Sequence, residues 1–383
     1  MARYPFRFLT PLTAAVVLAA VPAGAQMPGI TMPPSGDNQF SSVTQGIGLV
    51  RVTVEYSSPD VHGPNGEDRR GKIWGGLVPY GLAKVDFATC GDQCPWRGGA
   101  NQNTVFRTTH DVKVQGQPLP AGSYGVHFIP GPEEWTVIFS KNSTSWGSYY
   151  YDPKEDALRV QAKPEKSDYH EWLTYEFTDR QPDRATVALR WEDLQVPFTV
   201  SVDDMPGLYA DTLLRDLRTD AGWSRQHVLT ATRYMLENKK HLPEALFWTE
   251  RVTGPGAPAD FNALVTLAEL QKANGKAEEA AKTMDRALAY PALSPLEVHQ
   301  YARSLQNQNR NEEAMQVFQM NAKRFPDAWP VHLGLARGHA GLGHKAEALT
   351  EARLALKSAP DDASRKNVEA FIQQIEGSGK GSK

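Results

Sequence analysis

The sequence predicts a two-part chain, an all-β sandwich or barrel followed by an all-α solenoid, and three observations carry that expectation. Ala245, Ala280, Ala314 and Ala348 recur at intervals of 35, 34 and 34 residues, a period that marks a recurring helix-turn-helix unit. Between Leu49 and Val202, short segments alternate apolar and polar residues and are separated by Gly- and Pro-bearing turns, the pattern of half-buried strands. The character changes at Asp203-Asp204-Met205-Pro206, where Asp shortly before Pro opens a helix.

At the start of the chain, Arg3 and Arg7 precede an apolar run from Phe8 to Val21 and then Ala23-Gly24-Ala25. This reads as a cleaved secretory signal over residues 1–25, because the run is shorter than the roughly 20 apolar residues needed to span a bilayer. No Cys follows the cleavage site closely enough to accept a lipoprotein acyl chain. An exported protein, periplasmic or secreted and without a membrane span, is the expectation. The whole chain carries a formal charge of −3, and losing Arg3 and Arg7 makes it more negative, which excludes nucleic acid as a partner. Residues 26–47 are expected to be a disordered leader, since their first half is rich in Pro, Gly and Ser and lacks an apolar period.

The β domain is expected over residues 48–203. Val50, Val52, Val54 and Tyr56 alternate with Arg51, Thr53, Glu55 and Ser57, and further strands are expected near 104–114, 122–129, 135–140, 158–162, 172–177, 185–191 and 196–202. Trp135, Trp172 and Trp191 fall within these strand patterns and are read as core. A connecting helix is expected over 204–222, helical repeats over 223–376 and a disordered tail over 377–383.

The repeats resemble the tetratricopeptide family. In the third unit Ala302 takes the small position of the first helix, Ala314 and Phe318 pack the second, and Pro326 ends it. In the fourth the same roles fall to Ala336, Ala348, Ala355 and Pro360, and in the second to Ala268, Ala280, Met284, Ala287 and Pro291. Small residues let paired helices approach, and Pro stops the second helix. The first unit fits less well, with Arg233 where a small residue belongs. The resemblance implies a scaffold that docks a protein partner. Arg303 and Arg337, 34 residues apart at the same place on their first helices, are candidates to clamp a partner's carboxylate; the plainer reading is two solvated arginines.

Three stretches carry a second resemblance: Tyr56-Ser57-Ser58-Pro59, the run from Gly71 to Gly81, and Trp96-Arg97-Gly98-Gly99-Ala100-Asn101, followed by Leu119 to Tyr124, Trp135 to Phe139, Trp146-Gly147 and Tyr151-Asp152. They are similar to the bacterial domain-of-unknown-function family twenty-nine-eleven, which implies an exported, β-rich domain and no agreed activity. Two departures stand out. Leu82 to Pro95 interrupt the usual passage from Pro-Tyr-Gly into Trp-Arg, and Gln102-Asn103 replaces an expected Glu-Ala.

The loop from Trp96 to Asn103 concentrates a guanidinium, several amides and an indole around two glycines, which suits a carboxylate, phosphate or sugar-like ligand. Candidate ligand contacts are Trp96, Arg97, Asn101 and Asn103, with Tyr56 and Tyr80 from the neighbouring motifs. Against this stands the reading that Arg97 and Asn101 satisfy buried backbone groups. Cys90 and Cys94, the chain's two cysteines, admit a local disulfide, a metal site or a redox pair. A metal site needs His62, His110 or His127 to converge, with Asp111 beside them in a metal-assisted hydrolase. The leading expectation is a binding or adaptor protein with no cofactor, and the hydrolase is the alternative.

Overall fold

The computed structural model describes residues 38–63, 65–254 and 260–377. The signal reading over residues 1–25 lies outside them, as does nearly all of the expected tail. The chain divides into two compact units, one ending at Asp203 and one starting at Asp204, and each is described by itself.

In the β unit the strands are β1 (Gln39–Ile47), β2 (Val50–Ser58), β3 (Thr104–Thr108), β4 (Val112–Val114), β5 (Gln117–Leu119), β6 (Gly122–Ile129), β7 (Trp135–Ser140), β8 (Asp156–Ala162), β9 (Glu165–Thr178) and β10 (Arg184–Ser201). They form a six-stranded sheet ordered β1-β2-β3-β6-β7-β8 and a four-stranded sheet ordered β5-β4-β10-β9. Every pairing is antiparallel. The alternation seen in the sequence is the reason: Val50, Val52, Val54 and Tyr56 are buried while Arg51 is exposed, so each strand has one apolar face to hide. The faces meet through rings. Phe139 of β7 lies 5.2 Å from Phe106 of β3 and 5.9 Å from Phe198 of β10, both edge-on, which makes the unit a sandwich.

Four expectations are corrected. The leader does not run to residue 47, because Gln39–Ile47 pairs along its length with β2 across a turn at Gly48, whose φ is 55°. The segment 104–114 breaks into β3 and β4, and β5 had no alternation long enough to announce it. The two last expected strands are one, β10, bent by register shifts around Glu192, a buried residue with φ 57°; a bulge lets a strand continue past a local interruption. Trp135 and Trp191 are core, each 1 % exposed, but Trp172 is 39 % exposed.

The second unit contains ten helices among the described residues: α1 (Met205–Asp216), α2 (Arg225–Glu237), α3 (Leu242–Thr253), α4 (Phe261–Ala273), α5 (Ala277–Leu288), α6 (Pro295–Asn307), α7 (Asn311–Arg324), α8 (Trp329–Gly341), α9 (Lys345–Lys357) and α10 (Asp362–Gly377). None is long and apolar enough to cross a membrane. Asp204 caps α1 by accepting from the Gly207 amide at 3.0 Å, and Ser294 with Glu297 forms a capping box on α6. From α2 to α9 the helices form consecutive hairpins. The repeat alanines mark the packing: Ala245, Ala302, Ala314, Ala336, Ala348 and Ala355 are fully buried. Phe318 fills the space that these small residues leave, in one cluster with Phe261, Val298, Ala302 and Leu305 and against Gly334 of the next hairpin. The unit is a tetratricopeptide-type solenoid.

Truncating that ring exposes how much stability it carries. Phe318→Ala should destabilise the helical unit by about 3–5 kcal/mol, read as a lower denaturant midpoint by circular dichroism.

Candidate functional site

The loop entered at Trp96 is fixed from both sheets. Trp96 exchanges backbone hydrogen bonds with Phe128 of β6, at 2.8 and 2.7 Å. The Gly98 carbonyl accepts from the Tyr175 hydroxyl of β9 at 2.8 Å and from the Thr104 hydroxyl of β3 at 3.1 Å. Gly98 has φ 65°, and a Cβ there would run into Phe128 and Tyr175, so only glycine fits. The Trp96 indole packs among Trp74, Trp135 and Trp191 at centroid distances of 5.9 to 6.3 Å. It anchors the loop rather than offering a free platform.

Arg97 points the other way. Its guanidinium carbon lies 4.6 Å from the Tyr149 ring centroid, its Nη1 donates to the Asn101 carbonyl, and it abuts Gly147. Asn101 supplies that carbonyl from a left-handed backbone, φ 56°. No carboxylate among the described residues pairs with Arg97. Asn103 is buried, and its Nδ2 donates to the Ser145 hydroxyl at 2.8 Å and to the Asn142 carbonyl at 3.2 Å. Its Oδ1 is buried without a hydrogen-bond partner among the described residues.

Sequence reasoning gave His127 only a metal-binding part, yet it belongs to this cluster. Its ring is 1 % exposed, its Nδ1 is 2.9 Å from the Ser148 hydroxyl, and it meets the Tyr151 ring edge-on at 5.2 Å. Gly125 admits it: a Cβ at Gly125 would lie 3.0 Å from Asn103 Nδ2 and 3.4 Å from His127 Nε2. Burial, with the Arg97 charge second, drops the His127 pKa to about 3. The imidazole is therefore neutral at any physiological pH. In the alternation of β6, His127 shares a face with Ser123, Gly125 and Ile129, away from Tyr124, Val126 and Phe128, so period-two patterning alone does not mark it as buried.

The other expected contacts are dispersed. Tyr56 is buried and packs on Tyr175 at 4.8 Å, while Tyr80 is 48 % exposed and lies over Gly75. His62 engages Glu171 at 2.9 Å, His110 lies 2.9 Å from the Thr109 hydroxyl, and Asp111 accepts from the Ala121 amide. Among the described residues no group of three or more His, Cys, Asp or Glu could hold a metal. Cys90 and Cys94 form a disulfide, with Cα atoms 5.1 Å apart. It closes the insertion 82–95 against the loop 141–151: the Thr89 amide and hydroxyl donate to the Tyr149 carbonyl at 2.8 and 3.0 Å, and the Phe87 and Tyr149 rings meet at 4.8 Å.

In the solenoid, Arg303 of α6 is exposed and Arg337 of α8 is half-buried. Neither pairs with a carboxylate among the described residues. Arg337 stacks on Phe371 at 4.7 Å and its Nε is buried without a partner. Burial and then the Arg303 charge pull its pKa down to about 10, and burial with the Arg337 and Arg303 charges takes neighbouring His299 down to about 4. A cavity of about 520 Å³ opens between α2 and α4, lined among others by Arg225, Leu229, Arg233, Tyr234, Asp260 and Thr266. Here Arg225 pairs with Asp260 at 3.0 Å, and Arg233 reaches the Thr266 hydroxyl.

The chain is thus an antiparallel β sandwich followed by a tetratricopeptide-type solenoid. Residues 38–200 match the family described as "Protein of unknown function (DUF2911)". Among solved structures, the chain is similar to a mutant of MamA, at 16 % identity and TM-score 0.24, covering 40 % of this chain and 83 % of that one. It is also similar to MamA AMB-1, at 15 % identity and TM-score 0.23, covering 47 % of this chain and 96 % of that one. At such scores these likenesses add nothing to the helical geometry itself. Among curated proteins, none matches the chain.

The burial of neutral His127 sets a pH dependence. Its folded pKa lies below that of the unfolded chain, so its stabilisation is complete above about pH 6.5 and is lost as the pH falls toward about 3. Between pH 7 and pH 4.5, His127→Gln should lose less stability than the wild type, by on the order of a few kcal/mol, measured by urea denaturation at both pH values.

Proposed function

We propose that this chain is an exported binding and adaptor protein, whose β unit holds a small anionic or polar ligand and whose helical repeats dock a protein partner. The observation that carries the reading is a pair of guanidinium sites without acidic partners among the described residues. In the β unit, Arg97 is held by cation–π stacking and a backbone carbonyl, beside a histidine kept neutral. Its remaining donors suit the oxygens of a carboxylate or phosphate, and the buried amide of Asn103 adds a polar group at the same place.

In the repeats, Arg303 and Arg337 hold equivalent positions on α6 and α8, and a carboxylate bound by them would offset the like-charge repulsion that, after burial, lowers the Arg337 pKa. A C-terminal or side-chain carboxylate of a partner fits that pair, and the cavity between α2 and α4 offers a further recess along the same set of first helices. The residue 1–25 pattern, read as a secretory signal, supports an exported setting for both proposed roles.

Arg97→Ala should abolish ligand binding, read by calorimetry with a small carboxylate such as glucuronate, while leaving the thermal midpoint nearly unchanged. For the repeats, Arg303→Ala should keep or slightly raise stability, by at most about 1 kcal/mol, yet lose the envelope protein that the wild-type chain retains in affinity capture. Capture unaffected by Arg303→Ala and Arg337→Ala together would remove the docking assignment.

A further inference from the structure

We infer that the β unit's ligand is an acidic oligosaccharide, a chain of pyranose rings bearing carboxylates, which the loop 141–151 receives on aromatic rings beside Arg97. The inference rests on the ligand-binding reading above and goes further by naming what surrounds the charge. Three large rings stand open to solvent in this one neighbourhood: Trp146 is 50 % exposed, Tyr150 59 % and Phe87 77 %. They are tied to the arginine through the structure. Gly147, between Trp146 and Ser148, abuts the Arg97 guanidinium, Tyr149 lies under it, and Phe87 meets Tyr149 at 4.8 Å.

Solvent-exposed rings carry an energetic penalty that a soluble protein ordinarily avoids in clusters. A pyranose relieves it well, because its axial C–H faces are apolar while its rim is a ring of hydroxyls. Flat rings bind the faces, and amides and hydroxyls bind the rim. The rim partners are here too, in exposed Gln102, half-buried Asn101 and half-buried Ser145. Arg97, with no acidic partner among the described residues, selects sugars that carry a carboxylate. A protein interface is the less fitting occupant. The segment Lys141-Asn142-Ser143-Thr144-Ser145-Trp146-Gly147-Ser148-Tyr149-Tyr150-Tyr151 contains no aliphatic side chain larger than the lysine stem, whereas the centre of a protein interface is a continuous, desolvated apolar patch. Here the rings are separated by hydroxyl and amide groups.

The loop that carries Trp146 and Tyr150 also has little backbone freedom to lose on binding. Backbone bonds fix Tyr149 from the insertion side, Tyr151 donates to Asp156 at 2.9 Å and receives Arg159 at 2.7 Å, and Asn103 holds the loop at Asn142 and Ser145. A pre-ordered loop avoids part of the entropy cost of association.

Calorimetry and indole fluorescence on the mature chain test this with five probes: glucuronate, α-linked trigalacturonate, a β-linked hyaluronan tetrasaccharide, neutral maltotriose and triglutamate. At least one acidic oligosaccharide should bind about tenfold or more tightly than glucuronate, and maltotriose and triglutamate should bind at least about tenfold more weakly than it. Trp146→Ala, an exposed position where the fold should survive, should weaken the oligosaccharide about tenfold, to the affinity of glucuronate. Arg97→Ala should abolish both. If glucuronate binds through Arg97 but neither oligosaccharide gains over it, the oligosaccharide inference is overturned and the ligand-binding reading stands. Triglutamate binding as tightly as the sugars overturns the inference in favour of an acidic peptide. If nothing binds in an Arg97-dependent way, both readings fall.

Discussion

The carbonyl of Gly98 is the point on which the β unit's site depends. It receives a hydroxyl from each sheet, Tyr175 from one and Thr104 from the other, while Trp96, two residues earlier, bridges to Phe128 through its backbone. A short loop tied to both layers of a sandwich cannot drift without breaking buried hydrogen bonds, each of which exposes a buried partner at about 1–3 kcal/mol. Trp96 turns inward to join three other indoles and Arg97 turns outward onto Tyr149. The polarity of the site is the consequence: one residue of the pair holds the loop, and the next is presented.

The same loop places charged and polar groups where folding alone gains little from them. A half-buried guanidinium next to a buried imidazole disfavours protonation of the imidazole, and the Asn103 carbonyl oxygen is desolvated without a partner. The solenoid repeats this economy with different parts, where burial and then the Arg303 charge lower the affinity of Arg337 for protons, and burial with both arginine charges lowers that of His299. Local penalties of this kind persist only where the surrounding structure over-determines the geometry. Both places have such support, the two-sheet anchoring of Gly98 in one unit and the alanine-spaced helix packing in the other.

Legibility in the sequence followed the reach of the interactions. The helical repeat was readable because its information is local: a small residue every 34 or 35 positions is enough to imply paired helices, and Ala302, Ala336 and Ala348 are buried as that logic requires. Strand β1 was not readable, since Phe40 and its neighbours owe their extended state to pairing with β2 across Gly48 rather than to their own pattern. Glu192 hid the continuity of β10 because a charged residue in a left-handed conformation resembles a turn, and only its acceptance of the Gly71 amide from a distant loop explains its burial. In the site, Arg97, Asn101 and Asn103 were visible as a polar concentration around glycines. His127 was visible as a residue but not as a neighbour, because its proximity is created by the β3–β6 pairing and by the absence of a side chain at Gly125. Tyr56 and Tyr80 were drawn in by motif adjacency, which does not measure distance through the fold.

The insertion 82–95 belongs in the same physical account. A disulfide that closes so small a ring removes little chain entropy, on the order of 2 kcal/mol in the loop-closure model, so its main effect is on shape. With Cys90 bonded to Cys94, the Ala83 amide pairs with the Cys94 carbonyl at 2.8 Å and the Val85 amide with Gly91 at 2.7 Å, which makes the insertion a self-contained hairpin. Its buried side packs Cys90 and Cys94 against Ile138 and Tyr151. Its outer side brings Thr89 to the Tyr149 backbone and Phe87 to the Tyr149 ring. Because Arg97 stacks on that same ring, the hairpin buttresses the arginine at one remove: it limits where Tyr149 can go, and Tyr149 limits where the guanidinium can go. The disulfide-closed segment therefore acts on the candidate site through packing, and it adds an exposed aromatic ring to the rim while doing so.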